Sequence, residues 1–261
     1  MSLDHPPNIV KHQTLTRDAF LDGRLNVTQP AKGFRAGLDS VLLGAAVGKT
    51  GGPLLDLGCG VGVAAMVALA HHGAISALLV DSNPEMLPLA TGNLDDNGFA
   101  NRASAGLADV TALGAERKLA GLAADHFGSV IANPPFFAVG QGTVPGDNGR
   151  AAARHMERAG LEQWIKTAAG CAAPDGEAIF IHVSESLGPL LSAFESRFGA
   201  ITVLPLTPRP GAAATRVLVR GIKGSRAPLT LLSSRALHAD AGGAFAPEFE
   251  PIFRGLARLL W

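Results

Sequence analysis

The sequence predicts an α/β protein built on a doubly wound, mostly parallel sheet, and three observations carry that expectation. From about residue 53 onward, short apolar runs alternate with segments of helical periodicity. Four of these runs end on an acid or an amide: Asp56, Asp81, Asp109 and Asn133. A glycine-rich turn, Gly58-Cys59-Gly60-Val61-Gly62, separates the first run from the first helical segment. Ligands of open α/β sheets bind beyond the carboxyl ends of the strands, where strand order reverses. The four polar groups are therefore expected to converge on one crevice.

Each element follows from local pattern. Residues 1–30 are polar and mixed, and Ala19–Val27 reads as a hairpin around Asp22-Gly23. Strands are expected at 53–57, 76–81, 103–107, 128–132, 177–183 and 200–206. Helices are expected at 61–72, 84–97, 161–172 and 187–197. The runs 215–220 and 229–234 have no long helix between them, which predicts an antiparallel addition at the sheet edge. Near-helical spacing over 247–260 predicts a closing helix. Residues 1–45 read as an extension whose hairpin and helix pack on the core, and 46–261 as the main body of a single domain.

Composition narrows the classes. A chain of 261 residues with 47 % hydrophobic residues suits one α/β domain with additions. The formal net charge is zero, so any nucleic-acid contact must rest on local patches. Two cysteines, far apart, imply no disulfide framework and fit a reducing cytoplasm. The first residues lack the apolar stretch of a signal peptide. No apolar run reaches the roughly 20 residues of a membrane span. The eight histidines show no zinc-like pairing with cysteine, so no metal site is expected.

The glycine turn and its flanking acids read as a cofactor cradle. Glycines let the backbone approach a ligand and turn sharply into the next helix. A dinucleotide fingerprint starting at Gly58 would need a small third residue where Val63 stands. The alternating form Asp56-x-Gly58-x-Gly60-x-Gly62 instead resembles motif I of class I S-adenosylmethionine-dependent methyltransferases. Asp81, 21 residues after Gly60, is placed to grip both hydroxyls of a ribose, whichever nucleoside cofactor carries it. Asp109 admits two readings, a partner for the adenine amino group of the cofactor or a helix N-cap.

The stretch Ser129-Val-Ile-Ala-Asn133-Pro134-Pro135-Phe136-Phe137 is the most informative in the chain. Two prolines remove backbone donors and fix φ, so the chain after Asn133 is stiff and extended. Such a turn can hold one amide and one aromatic ring in fixed geometry. The amide oxygen and a nearby carbonyl can accept the hydrogens of a substrate amino group while the ring stacks on the substrate face.

With these motifs in hand, the chain resembles the bacterial tRNA adenine-N(6) methyltransferases that modify the anticodon loop of valine tRNA, and their close relatives. Besides the motifs above, the resemblance includes Gly33-Phe34-Arg35-Ala36-Gly37-Leu38-Asp39-Ser40-Val41-Leu42-Leu43, just before motif I, and Thr215-Arg216-Val217-Leu218. It implies a seven-stranded Rossmann-like sheet with an antiparallel edge strand, S-adenosylmethionine as cofactor and RNA as partner, most directly tRNA. It makes Asn133, Pro134 and Phe136 catalytic, and Asp56, Gly58, Gly60, Gly62, Asp81 and Asp109 cofactor-binding. The family's fourth motif usually carries Tyr, whereas this chain has Phe136 and no tyrosine. A Phe ring stacks about as well but offers no hydroxyl.

Candidate RNA contacts are Arg35, Asp39, Arg150, Arg154 and Arg216. Arg35 and Asp39 are spaced i, i+4 and could form a simple ion pair or border the cofactor or base pocket. The basic segments 150–158 and 209–226 could neutralise phosphates or be solvated faces. Rival readings remain: methylation of guanine in ribosomal RNA or of a protein glutamine amide, a non-catalytic nucleotide-binding protein, and an NAD-dependent oxidoreductase, which Val63 disfavours.

Overall fold

Apolar runs buried on both faces, separated by amphipathic segments, leave the chain one way to hide its surface: a central sheet with helices on each side. A computed structural model shows that arrangement. It describes residues 14–33, 35–49, 51–111, 114–135, 147–240 and 242–261; of residues 147–158 it describes the backbone alone. The elements run β1 (Leu15–Phe20), β2 (Leu25–Pro30), α1 (Leu38–Ala45), β3 (Leu54–Leu57), α2 (Val63–His71), β4 (Ala77–Asp81), α3 (Met86–Asp96), β5 (Ala103–Leu107) and α4 (Gly114–Leu119). They continue β6 (Phe127–Ala132), α5 (Asp147–Cys171), β7 (Ala172–Val183), α6 (Leu187–Glu195), β8 (Phe198–Thr207), β9 (Arg216–Lys223), β10 (Thr230–Leu231), β11 (Arg235–Ala236) and α7 (Glu250–Phe253).

The main sheet is ordered β10-β8-β9-β7-β6-β3-β4-β5, with β11 also pairing β8. Seven long strands, β3 to β9, carry it, and only β9 runs antiparallel, toward the β8 end. Alternate residues feed opposite faces. Leu54, Leu79, Ile131 and Ile179 pack toward α1, α2 and the hairpin. Leu55, Leu57, Val80, Val130 and Phe180 pack toward α5 and α6. This two-sided burial is why the strands read as continuous apolar runs. The chain steps from β3 to β4 and β5, then crosses back to place β6 on the other side of β3. Strand order therefore reverses between β3 and β6.

The hairpin forms as expected, with Leu21, Asp22 and Gly23 all at positive φ in its turn. Two expectations are corrected, and α4 is a helix the sequence did not predict. Residues 215–220 and 229–234 are not partners: β9 inserts between β7 and β8, and β10 is two residues paired parallel to β8. The tail forms only the single turn α7, because Gly255 at φ +70° ends it. The helix α4 has no buried residue, so it had no apolar stripe to reveal it.

Candidate active site

Strand pairing brings the polar strand ends together. Leu57 of β3 lies opposite Val80 of β4 and Ala132 of β6. Gly58, Asp81 and Asn133 each follow by one residue and stand side by side at the carboxyl edge. This edge is the switch point, where a doubly wound sheet opens a crevice.

The glycine loop is built for close approach. Gly58, Gly60 and Gly62 take φ of +66°, +54° and +89°, a region unfavourable to other residues. A Cβ on Gly58 would lie 2.4 Å from Cη2 of Trp164, which packs from α5. A Cβ on Gly62 would lie 2.8 Å from Leu79. Asp81 braces the loop: its Oδ2 accepts the Gly60 N–H at 2.8 Å and its Oδ1 accepts the Asn83 N–H at 2.8 Å.

Asp56 is 2 % exposed and accepts one hydrogen bond, from the Ala65 N–H in the first turn of α2, at 3.2 Å. Burial raises its carboxyl to about 8; the Ala65 N–H opposes this and the Asp81 charge adds to it. Burial thus favours the neutral acid, and a cationic ligand in the loop would favour the carboxylate.

Asn133 stands at the junction of two cavities. One is lined by Asp56, Gly58, Cys59, Gly60, Met86 and Ala36. The other, about 380 Å³, is lined by Arg35, Gly37, Leu38, Asp39, Ser40 and Arg216. Asn133 contributes to both walls. Its Oδ1 is buried and has no hydrogen-bond partner among the described residues. A buried acceptor without a donor costs roughly 1–3 kcal/mol, and such an atom in a cleft marks a place for a ligand N–H. Pro134 is buried behind it.

The charged rim differs from the expected i, i+4 pair. Arg35 donates to Asp18 Oδ2 at 2.7 Å, to Thr16 Oγ1 and to the Pro30 carbonyl. Asp39 instead accepts from Arg216 Nε at 2.8 Å, across 177 residues of sequence. Arg35, Asp39 and Arg216 line the cavity beside Asn133. Asp109, exposed after β5, accepts the Thr111 N–H and hydroxyl through Oδ1, each at 2.7 Å. It closes its own turn and does not cap α4, which starts at Gly114. Several of the cations in 209–226 are engaged by other groups of the protein, while Arg209 and Arg226 remain exposed. Arg209 binds three carbonyls, Arg220 lies over the Trp261 ring, and Lys223 binds Asp125 and two carbonyls. Phe136 lies outside the described residues, as do the side chains of Arg150 and Arg154.

Sequence reasoning missed Trp164, Ser40 and Met86. They are apolar or small residues within helical patterns, and only three-dimensional packing brings them to the crevice. Among the described residues no His, Cys, Asp and Glu group could hold a metal ion. No helix among them is long and apolar enough to cross a membrane.

A family model described as methyltransferase small domain matches residues 38–204, from α1 through most of β8. The chain belongs to the methyltransferase small domain family. It is an S-adenosylmethionine-dependent methyltransferase, and the doubly wound sheet is that of class I enzymes. A tRNA1(Val) (adenine(37)-N6)-methyltransferase of Shewanella loihica is 30 % identical over 82 % of this chain and 88 % of its own. A ribosomal RNA small subunit methyltransferase C of Klebsiella pneumoniae is 30 % identical over 58 % of this chain and 44 % of its own. A crystal structure of a predicted O-methyltransferase from Agrobacterium tumefaciens aligns with TM-score 0.72 and 31 % identity, over 85 % of this chain and 98 % of that one.

The residues present fit the cofactor. The positive-φ glycine loop leaves its backbone open beside a buried carboxyl with one hydrogen bond, and a positively charged ligand there would favour its ionised form and pair with it.

Proposed function

We propose that the protein methylates an exocyclic amino nitrogen of a base in RNA, with adenine in tRNA as the substrate. The observation that carries this reading is the Asn133 Oδ1, buried and without a partner among the described residues, at the meeting of the two cavities. An adenine N6 amino group offers two N–H donors, and its lone pair is delocalised into the ring. Asn133 Oδ1 and the Pro134 carbonyl accept those hydrogens and hold the nitrogen toward the donor side, which is chiefly an orientation effect. The cofactor, when bound, supplies a methyl group made electrophilic by its sulfonium. Asp56, the Gly58–Gly62 loop and Asp81 hold it, and Asp109 stands beyond the next strand. In this reading Asp39, Arg35 and Arg216 wall the cavity that receives the base, which must be unpaired or flipped to enter. The sequence assigns stacking on the base to Phe136 and phosphate contacts to Arg150 and Arg154. Support for RNA comes from the similarity to the Shewanella tRNA methyltransferase and the Klebsiella ribosomal RNA methyltransferase. The longer alignment, to the Shewanella enzyme, favours tRNA. A cytoplasmic location belongs to the same reading.

Asn133→Ala tests it. Cofactor affinity by calorimetry should stay within about twofold of wild type, while methyl transfer into unmodified tRNA falls at least about 100-fold. Parallel loss of binding and transfer would remove Asn133 from its assigned role.

A further inference from the structure

The helix α3 carries two asparagines at i and i+4, on one face. They do something unusual with the hairpin. In β2, Asn26 and Thr28 turn their N–H and C=O groups away from β1. Asn93 Oδ1 accepts the Thr28 N–H at 2.8 Å, and its Nδ2 donates to the Thr28 carbonyl at 3.0 Å. One step along, Asn97 Oδ1 accepts the Asn26 N–H at 2.9 Å and its Nδ2 donates to the Asn26 carbonyl at 2.8 Å. Each side-chain amide thus stands in for one peptide unit of a missing neighbour strand and closes the open edge of β2.

Asn93 does a second thing. It is 1 % exposed, and the same Nδ2 donates to the Val61 carbonyl, at 3.0 Å, within the glycine loop. Val61 lines the cofactor cavity. Beyond Thr28, the next residue of β2 is Gln29, which reaches the rim of the other cavity. Its Oε1 accepts the Ala36 N–H at 2.9 Å and its Nε2 donates to Asp18 Oδ2 at 2.7 Å, the oxygen that also receives Arg35. An unbroken set of hydrogen bonds and one strand therefore joins Val61 to Arg35, with Asn93 at the only point that touches both the loop and the hairpin in that set.

We propose that Asn93 is a positioning residue that couples the cofactor loop to the hairpin that holds Arg35 at the Asn133 cavity. Ordering of Gly60–Gly62 by bound cofactor firms the Val61 carbonyl as an acceptor. That fixes the Asn93 amide plane, which in turn holds Thr28 and the rim beyond it. Binding on one side and rigidity on the other are then linked, and the linkage is reciprocal.

Amide hydrogen exchange with and without S-adenosylhomocysteine tests this without any assumption about the acceptor substrate. In wild type, the ligand should slow exchange at Thr28 by about fivefold or more, the low end of ordinary coupling. Asn97→Ala, which leaves the Val61 and Thr28 bonds intact, should keep that response. Asn93→Ala should bind the ligand, protect Gly60 and Gly62, and show no response at Thr28. Asn93→Asp keeps an acceptor for Thr28 and loses both donated bonds; it should lose the response too and serves if the alanine variant does not fold. Protection of the glycine loop in wild type with unchanged exchange at Thr28 would overturn the proposal. So would a full response at Thr28 in either Asn93 variant.

Discussion

Asp56→Asn removes a buried titrating group and keeps an oxygen for the Ala65 N–H. In wild type, burial raises the Asp56 carboxyl from 3.8 to about 8. Between pH 5 and pH 8 the unfolded chain gives up this proton, while the native chain largely keeps it. The native state then binds more protons than the unfolded one, so stability falls as pH rises. The contribution is fully present below 3.8 and is lost as pH climbs through about 8. At about 1.4 kcal/mol per pH unit, three units cost wild type about 4 kcal/mol. That is a large share of the roughly 5–15 kcal/mol that holds a typical fold. Asparagine does not titrate, so the difference between variant and wild type isolates the group. Urea unfolding at intervals from pH 5 to pH 8, without cofactor, should show the variant gaining about 4 kcal/mol on wild type across the range. A difference that stays within about 1 kcal/mol across that span would show that Asp56 titrates like an exposed carboxylate, and the reasoning from burial would fail.

Three further outcomes follow from the geometry. Gly58→Ala sets a Cβ at 2.4 Å from Trp164 in a left-handed backbone conformation, and should cost about 2–4 kcal/mol in thermal or urea unfolding. Trp164→Leu in that background should recover part of the loss. Arg102 gives its guanidinium to the carbonyls of Leu69, His72 and Ile75, at and just beyond the end of α2; Arg102→Ala should lower stability by about 2–3 kcal/mol in urea unfolding, with little change in cofactor affinity by calorimetry at a temperature where the variant is folded. A double-mutant cycle of Asp39→Ala and Arg216→Ala should give a coupling of about 0.5–1 kcal/mol that shrinks in high salt, since both side chains are partly exposed.

Much of this site could be read from sequence because strand ends announce themselves. An apolar run stopping at Asp56 or Asp81, followed by glycine or asparagine, marks where a buried strand meets the crevice. Asn133 was equally plain, since two prolines cannot continue a central strand. What stayed hidden depends on contacts between distant segments. Nothing near Asp39 indicates that its partner is Arg216, and the nearer Arg35 was the obvious candidate. Asn93 and Asn97 look like ordinary polar positions of a surface helix until the hairpin is docked on them. The run 229–234 has strand composition, yet only Thr230 and Leu231 form a strand, on the edge of β8 opposite β9, so it adds parallel rather than beside β9. The tail was overread because apolar spacing continues past Gly255, where the backbone can no longer be helical.

The central claim is that Asn133 receives an adenine amino group of tRNA. The most direct test is transfer of labelled methyl from S-adenosylmethionine into tRNA lacking its native modifications, with ribosomal RNA and cell protein as parallel acceptors, followed by digestion to nucleosides. The account predicts label in N6-methyladenosine from tRNA, abolished by Asn133→Ala. Label confined to methylguanosine in ribosomal RNA, or to protein, would contradict it.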